Sequence, residues 1–531
     1  MTQPPFGPQH PTPSSPVPPG PSYGAGYGSS PAHGTATTYA PTAGFDPDYG
    51  IPAAVPPAGA DTGKRRTRRR IAIGATVVGA LALGGGGYAV AAYLSGGGAQ
   101  PEEVLPADTV TLVKIDFDPA MGQKTAVANL MEKFPALGEG TEDIRQSAID
   151  ELLDFGAADL DYEKDVAPWL GDRMAGALVP DEASDGGMAG VLVVAVDDES
   201  AMYDALRSLG DDPGFGYAVR DDFLLLAQDQ ETADRIAAKE SRLSEDDDYL
   251  ADRAALDGDQ IAVAWADLSA LKQLFDQAAG DGALGLSPFD LGGDLAGRVV
   301  YGLHAEDDAL ELVGMDFTVS DVGPGPQPDQ PTRLIQQLPE DTLAAISVSD
   351  AGDMLDERWD DLEATGMVDG FQDMFPNLVL PDDLQNILGS DLLVGVFGDD
   401  VENPQFGMRA VTDDPERATD VIKGFDYAFD LGIRTVPAAV DDGYVLATDV
   451  TTARALAGED AGLGDSAAFQ AAVPGADDAS LIGYADLAAI LEQIPEGDGF
   501  EAADYEAVEA VGVTSTPTEK GTRFVLRITT R

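Results

Sequence analysis

Between Ile71 and Leu94 the chain carries twenty-four consecutive residues without a charge, and directly before them stands Lys64-Arg65-Arg66-Thr67-Arg68-Arg69-Arg70. As an α-helix that run would be about 36 Å long, enough to cross a hydrocarbon core of about 30 Å with some tilt. Lys and Arg are retained on the cytoplasmic side of a membrane. The pattern therefore predicts residues 1–63 inside, 64–70 as a basic stop cluster, 71–94 as a single transmembrane helix, and everything after Leu94 outside. A cleaved signal peptide, with Gly97-Gly98-Ala99 as its small-residue site, is the rival reading; the long preceding tail favours a retained anchor. Ala75 and Gly79, then Ala80 and Gly84, stand four apart, a spacing that allows close helix approach and would support a homodimer through the span. The run Gly84 to Gly87 weakens that helix as much as it argues for a partner.

The tail is rich in Pro, Gly, Ser, Thr and Ala and shows no apolar periodicity. Ordering it would cost backbone entropy of about 1–2 kcal/mol per residue with no core to offset it, so it is predicted disordered, a spacer or a docking tail working through segments such as Pro16-Val17-Pro18-Pro19. The formal net charge is −63, yet residues 1–94 hold six Lys/Arg against Asp46, Asp48 and Asp61. The negative balance thus belongs to the segment after the span. Such a surface repels phosphates, which argues against nucleic acid as a partner and leaves cationic partners or divalent ions open. Cysteine is absent, removing disulfides, thiolate metal sites and thiol nucleophiles together.

Beyond the span the chain echoes itself. Leu105-Pro106-Ala107-Asp108-Thr109 returns as Leu338-Pro339-Glu340-Asp341-Thr342. Trp169-Leu170-Gly171-Asp172 is matched by Ile387-Leu388-Gly389-Ser390, the hairpin Tyr217 to Leu225 by Val436 to Leu446, and Ala264-Trp265-Ala266-Asp267-Leu268 by Gly483-Tyr484-Ala485-Asp486-Leu487. Four echoes in one order predict two copies of one domain, 105–320 and 338–531, with 95–104 as a linker after the span and 321–337 as a Gly/Pro linker between the copies. Short apolar runs read as strands: Val110 to Phe117, Met174 to Val179, Val191 to Val196, Phe223 to Ala227, Ile261 to Trp265, Val299 to His304, Leu310 to Phe317, Leu343 to Val348 and Leu392 to Phe397. Helical spacing marks Ala201 to Leu206, Thr232 to Lys239, Leu268 to Phe275, Pro415 to Phe425 and Leu487 to Ile494. A long helix–hairpin insert before the first hairpin is expected at Ala126 to Phe155 and again at Asp353 to Phe375. The predicted class is α+β, with two tandem homologous domains, each an antiparallel sheet with helices on one face.

A Pro-rich tail, a basic cluster, one span and a following segment that opens Leu-Pro-Ala-Asp-Thr resembles the actinobacterial membrane-anchored proteins grouped as DUF3352. The resemblance runs from about Leu105 to the end of the chain. It implies an envelope-exposed single-pass protein and carries over no activity, cofactor or site residue.

Candidate chemistry is sparse. His10 and His33 lie in the tail; His304 ends an apolar run beside Glu306, Asp307 and Asp308 and reads as a strand-end residue facing water rather than a general base or metal ligand. Acidic runs at Asp197-Asp198-Glu199, Asp211-Asp212, Asp246-Asp247-Asp248, Asp399-Asp400, Asp413-Asp414 and Asp441-Asp442 lack the spacing of a calcium loop and fall where turns or helix starts are expected. Asp267 and Asp486 end strands and precede helices, as N-caps do; a glycosidase-like carboxylate pair is the alternative. Trp169, Trp265 and Trp359, with Tyr484 at the place of Trp265, read as core or domain-contact aromatics. No catalytic, cofactor-binding or metal-ligating residue is assigned. The expectation is a membrane-anchored binding or interaction module taking an envelope protein or small molecule. A structural envelope protein without a small ligand and an extracytoplasmic hydrolase using paired carboxylates are the alternatives.

Overall fold

The computed structural model describes residues 98–134, 162–184, 187–210, 213–272, 297–317, 331–364, 377–398, 404–429, 442–458, 462–494 and 505–531, with single positions at 368, 372, 375 and 440. All of them belong to one compact unit, Asp61–Arg531. The tail, basic cluster and span lie outside the described residues, as do 95–97 of the first linker and 321–330 of the second. No described helix is long and apolar enough to cross a membrane.

Helices and antiparallel strands are mixed, as the patterning predicts. The first stretch contributes β1 (Thr111–Asp116), β2 (Leu170–Pro180), β3 (Met188–Val196), β4 (Gly216–Arg220), β5 (Phe223–Ala227), β6 (Ala262–Asp267), β7 (Arg298–Glu306) and β8 (Ala309–Asp316). The second contributes β9 (Ala344–Ser349), β10 (Asp391–Phe397), β11 (Gln405–Val411), β12 (Gly443–Ala447), β13 (Leu481–Ala485), β14 (Val508–Thr518) and β15 (Gly521–Thr530). They make a single sheet in the order β12-β11-β10-β9-β13-β14-β15-β8-β7-β6-β1-β2-β3-β5-β4. Outward from the β8·β15 pair the order reads alike in both directions. Each side passes a hairpin partner, then the preceding strand, then the strand that follows the Leu-Pro-x-Asp-Thr turn, and ends on the strands after it, β2, β3, β5 and β4 on one side and β10, β11 and β12 on the other. Where the sequence suggests two sheets, β8 and β15 pair antiparallel over Thr522↔Asp316 to Thr529↔Ala309 and make one.

Local contacts recur with the same spacing. Thr109 Oγ1 donates to the Pro106 carbonyl at 2.6 Å and Thr342 Oγ1 to the Pro339 carbonyl at 2.8 Å, each closing the turn that Pro opens. The Leu243 N–H donates to the Leu105 carbonyl at 2.9 Å, and the Leu463 N–H to the Leu338 carbonyl at 2.8 Å. Tyr249 meets Trp265 edge-on at 5.5 Å, and Phe469 meets Tyr484 at 5.3 Å.

Helices cover both faces of the sheet rather than one. In β5, Phe223 and Leu225 bury beneath α3 (Gln230–Ala238) and α4 (Asp247–Arg253) with Ile236 and Tyr249, whereas Leu224 packs on the other side with Met202 and Leu206 of α2 (Glu199–Ser208). The segment Phe-Leu-Leu-Leu-Ala has no polar residue to show to water, so both its faces need cover. α1 (Met121–Lys133) lies against the back of β7 and β8 through Ala126 and Val127. The other end of the sheet repeats the plan. Val445 of β12 packs with Leu456 of α9 (Val450–Leu456) and Phe469 of α10 (Ala467–Ala472) on the front. Tyr444 and Leu446 pack behind with Val421 and Ile422 of α8 (Pro415–Phe429), beside Ile387 of α7 (Asp382–Leu388). α5 (Ala351–Glu357) and α6 (Trp359–Ala364) follow β9, and α11 (Leu487–Glu492) follows β13.

Two stretches assigned to linkers are core. Pro101–Glu103 form a 3-10 turn and Val104 is buried with the first cluster; Ile335–Gln337 form another, with Leu334 and Ile335 buried in the second. β14 and β15 lie outside the strand-like runs identified from sequence; in β14, Gly512, the Ser/Thr stretch 514–516 and Pro517 interrupt the apolar alternation.

Because Val313 and Val525 bury into one cluster across the β8·β15 pair, Val313→Ala is expected to cost about 2 kcal/mol. Scanning calorimetry of the chain should still show one unfolding transition, shifted down as a whole.

Candidate functional site

The segment 98–104 crosses the front of β1 and leaves a buried polar cluster beneath it. In Thr-Leu-Val-Lys-Ile-Asp, Leu112 and Lys114 share the face that packs under Trp265 and Tyr249, so Lys114 is drawn inward with its neighbours. Its Nζ meets Glu102 Oε1 at 2.5 Å and Gln100 Oε1 at 3.2 Å. Burial lowers the Lys114 ammonium below the ordinary lysine value, with the Glu102 carboxylate pulling it back up. Burial likewise raises the Tyr249 phenol, and the Glu102 charge adds to the rise. Two strand residues on, Asp116 Oδ2 accepts from Arg173 Nε at 2.9 Å. At the same register of the other arm, Ser347 stands opposite Leu393 and Ile482 as Lys114 stands opposite Ala175 and Val263. Ser347 joins Thr332 and Asp391 in a hydrogen-bonded group, where burial raises the Asp391 carboxyl despite the bonds from Thr332 and Arg333.

A second cluster lies behind Trp265. Asp252, almost wholly buried, accepts from Trp265 Nε1 at 2.9 Å and from Arg298 at 2.6 Å and 3.2 Å. Those bonds raise the Arg298 guanidinium, and Asp248 stands 3.3 Å from it. A carboxylate so paired is a structural counter-ion.

His304 corrects its sequence reading. It lies within β7, mostly buried, opposite Glu311, rather than at a wet strand end. Its Nε2 is 3.3 Å from Glu311 Oε1; Glu311 Oε2 takes Arg527 Nη1 at 2.7 Å, and Arg527 Nη2 reaches Glu306 at 2.5 Å. The Arg527 bond holds the Glu306 carboxyl below its ordinary value. Arg527 stands on β15, so the row fastens the β8·β15 pair from the front.

The other sequence candidates resolve into capping and packing. Asp267 accepts from the Ala270 N–H and Asp486 from the Ala489 N–H, each at 2.8 Å, as N-caps. Asp198, Asp246 and Asp414 accept from Ala201, Tyr249 and Arg417 in the same way. Asp221 holds the β4–β5 turn at φ 49°, and Asp442 lies 3.5 Å from Arg409. Asp211-Asp212 and Asp399-Asp400 lie outside the described residues. Among the described residues no three His, Cys, Asp or Glu are placed to hold a metal ion. Trp169 and Trp265 are buried, the former donating to the Asp165 carbonyl at 2.6 Å; Trp359 is half-buried at the start of α6.

One surface feature escaped the sequence reading. On the back of the second arm Ile346, Val394 and Phe406 sit on adjacent strands, Ile346 directly opposite Val394, and are 46%, 39% and 50% exposed. At the register of Ile346, β1 carries Val113, which is 8% exposed. Apolar runs at helix or strand period show only that a face is apolar, not whether another element covers it.

Breaking the buried pair tests its role. Lys114→Met alone should cost about 3–5 kcal/mol by leaving Glu102 uncompensated, and the double variant Lys114→Met, Glu102→Met should cost less than that single change in urea unfolding.

No curated protein and no solved structure matches the chain. The family described as "Protein of unknown function (DUF3352)" matches residues 72–214, from the uncharged run through β1, β2 and β3 to the approach of β4. Over those residues, about a quarter of the chain, the sequence is similar to the DUF3352 family, whose description assigns no activity.

Proposed function

We propose that this is a single-pass envelope protein, held by residues 71–94 with its N-terminus cytoplasmic, whose two homologous α+β copies form one extracytoplasmic interaction platform. The observation that carries the reading is the mirrored strand order about β8·β15. The paired turn, the Leu-to-Leu backbone bond and the aromatic contact repeated on both sides support a duplicated unit. A sheet this broad holds its exposed back-face strip in fixed geometry, which suits recognition.

The partner class follows from charge and from the bare apolar strip. A formal charge of −63 repels acidic partners and steers basic ones toward the surface. Ile346, Val394 and Phe406 then supply the desolvated centre that a protein contact needs. The occupant that fits is a basic protein segment carrying apolar side chains.

Photo-crosslinking in native membranes tests this. A crosslinking side chain at Phe406 of the full chain should yield one discrete protein adduct, weakened by salt and lost when Ile346→Asp is added. Adducts no different from those formed at the exposed turn residue Glu182 would overturn the proposal.

A further inference from the structure

The path of the first described residues fixes which end of the sheet the span leads into. Gly98 lies against the Arg173 side chain, beside the C-terminal end of β1, where Arg173 is paired with Asp116. Gln100 and Glu102 both reach Lys114, one pleat further back. The Leu105 carbonyl then accepts from Leu243, and the Val110 N–H donates to Leu178, at the N-terminal end of β1. The segment therefore runs back along the front of β1, in the direction opposite to the strand. It is fastened at successive points, by Lys114 to Gln100 and Glu102, by Arg220 Nη1 to the Val104 carbonyl at 2.9 Å, and by Leu243 to Leu105.

Only Ser95, Gly96 and Gly97 separate Leu94 from Gly98. Fully extended, that connection reaches about 14 Å. The anchored segment cannot pay out more chain without breaking the buried Lys114–Glu102 pair. From these constraints we infer that the end of the sheet holding Gly98, the Asp116 end of β1 and the β4–β5 and β7–β8 turns faces the lipid bilayer, and that the β2–β3 turn points away. The inference rests on the membrane-anchor reading above and adds an orientation to it. The bilayer-facing turns carry Asp221, Asp222, Asp307 and Asp308, all exposed. Burying such carboxylates in lipid is costly, so this end stands against the headgroups without inserting.

Because the chain has no cysteine, single labels are unambiguous. Asp259→Cys, just before β6 at the bilayer-facing end, and Glu182→Cys, in the β2–β3 turn, are labelled with a donor dye in the full chain reconstituted into phosphatidylcholine vesicles with headgroup-linked acceptors. The two sites are separated by the length of β2, about 35 Å, so transfer from Asp259→Cys should exceed that from Glu182→Cys by about twofold or more. Equal transfer, as from a sheet lying flat, or the reverse order overturns the orientation while leaving the anchor intact. Failure of the chain to float with the vesicles overturns the anchor reading and the orientation with it.

Discussion

The antiparallel pairing of β8 with β15 is the contact on which the rest of the arrangement depends. Each strand is the second member of a hairpin, β7–β8 and β14–β15, and each alone would be a sheet edge with unpaired N–H and C=O groups. Joined, they turn two edges into the middle of one sheet. Val313 and Val525 meet in a shared apolar cluster on the front, and the row His304, Glu311, Arg527, Glu306 adds charge-assisted bonds whose geometry holds only in this register. A shift of one residue along β15 would send Arg527 to the back and Val525 out of the core.

The two sides of that junction are built alike and filled differently. Tyr249 beneath Trp265 and Phe469 beneath Tyr484 keep the same aromatic contact. The first side adds a buried Lys114–Glu102 pair and the Asp252–Arg298 pair, whereas the second carries Ile335 and Ser347 at the places of Glu102 and Lys114. Buried ion pairs add little net stability over apolar packing, yet they penalise any arrangement that separates them. In the first side that penalty falls on displacement of segment 98–104, the stretch by which any pull from residues before Gly98 would enter the fold. The second side carries no such load on its corresponding stretch at 331–337, and its polar group is Thr332 and Ser347 hydrogen-bonded with Asp391, without a paired cation among the described residues.

Much of this was legible in the sequence where one residue type has one physical use. The Leu-Pro-x-Asp-Thr turns are readable because Pro opens the turn and Thr closes it on the Pro carbonyl. Asp267 and Asp486 read correctly as caps because a carboxylate between a strand and a helix meets free N–H groups. Phe223 to Ala227 and Leu392 to Phe397 read as strands from sequence, but apolar runs do not say how many faces are covered, and the helices lie on both. Leu334 and Ile335 were hidden behind Gly323-Pro324-Gly325-Pro326, whose composition made the whole of 321–337 look like linker. Lys114 and Arg527 gave no signal, since a charged residue within a strand usually points to water. The pairing of β8 with β15 could not be read at all, because nothing in either strand names its partner.

Amide hydrogen exchange across β8 and β15 tests the central claim most directly. If the two strands join one sheet, the amides from Leu310 to Met315 and from Arg523 to Ile528 exchange as slowly as those of β1, and they lose protection together. Fast exchange on alternate residues of β8 and β15, with β7 and β14 still protected, would show two free edges in place of a junction and would contradict the account.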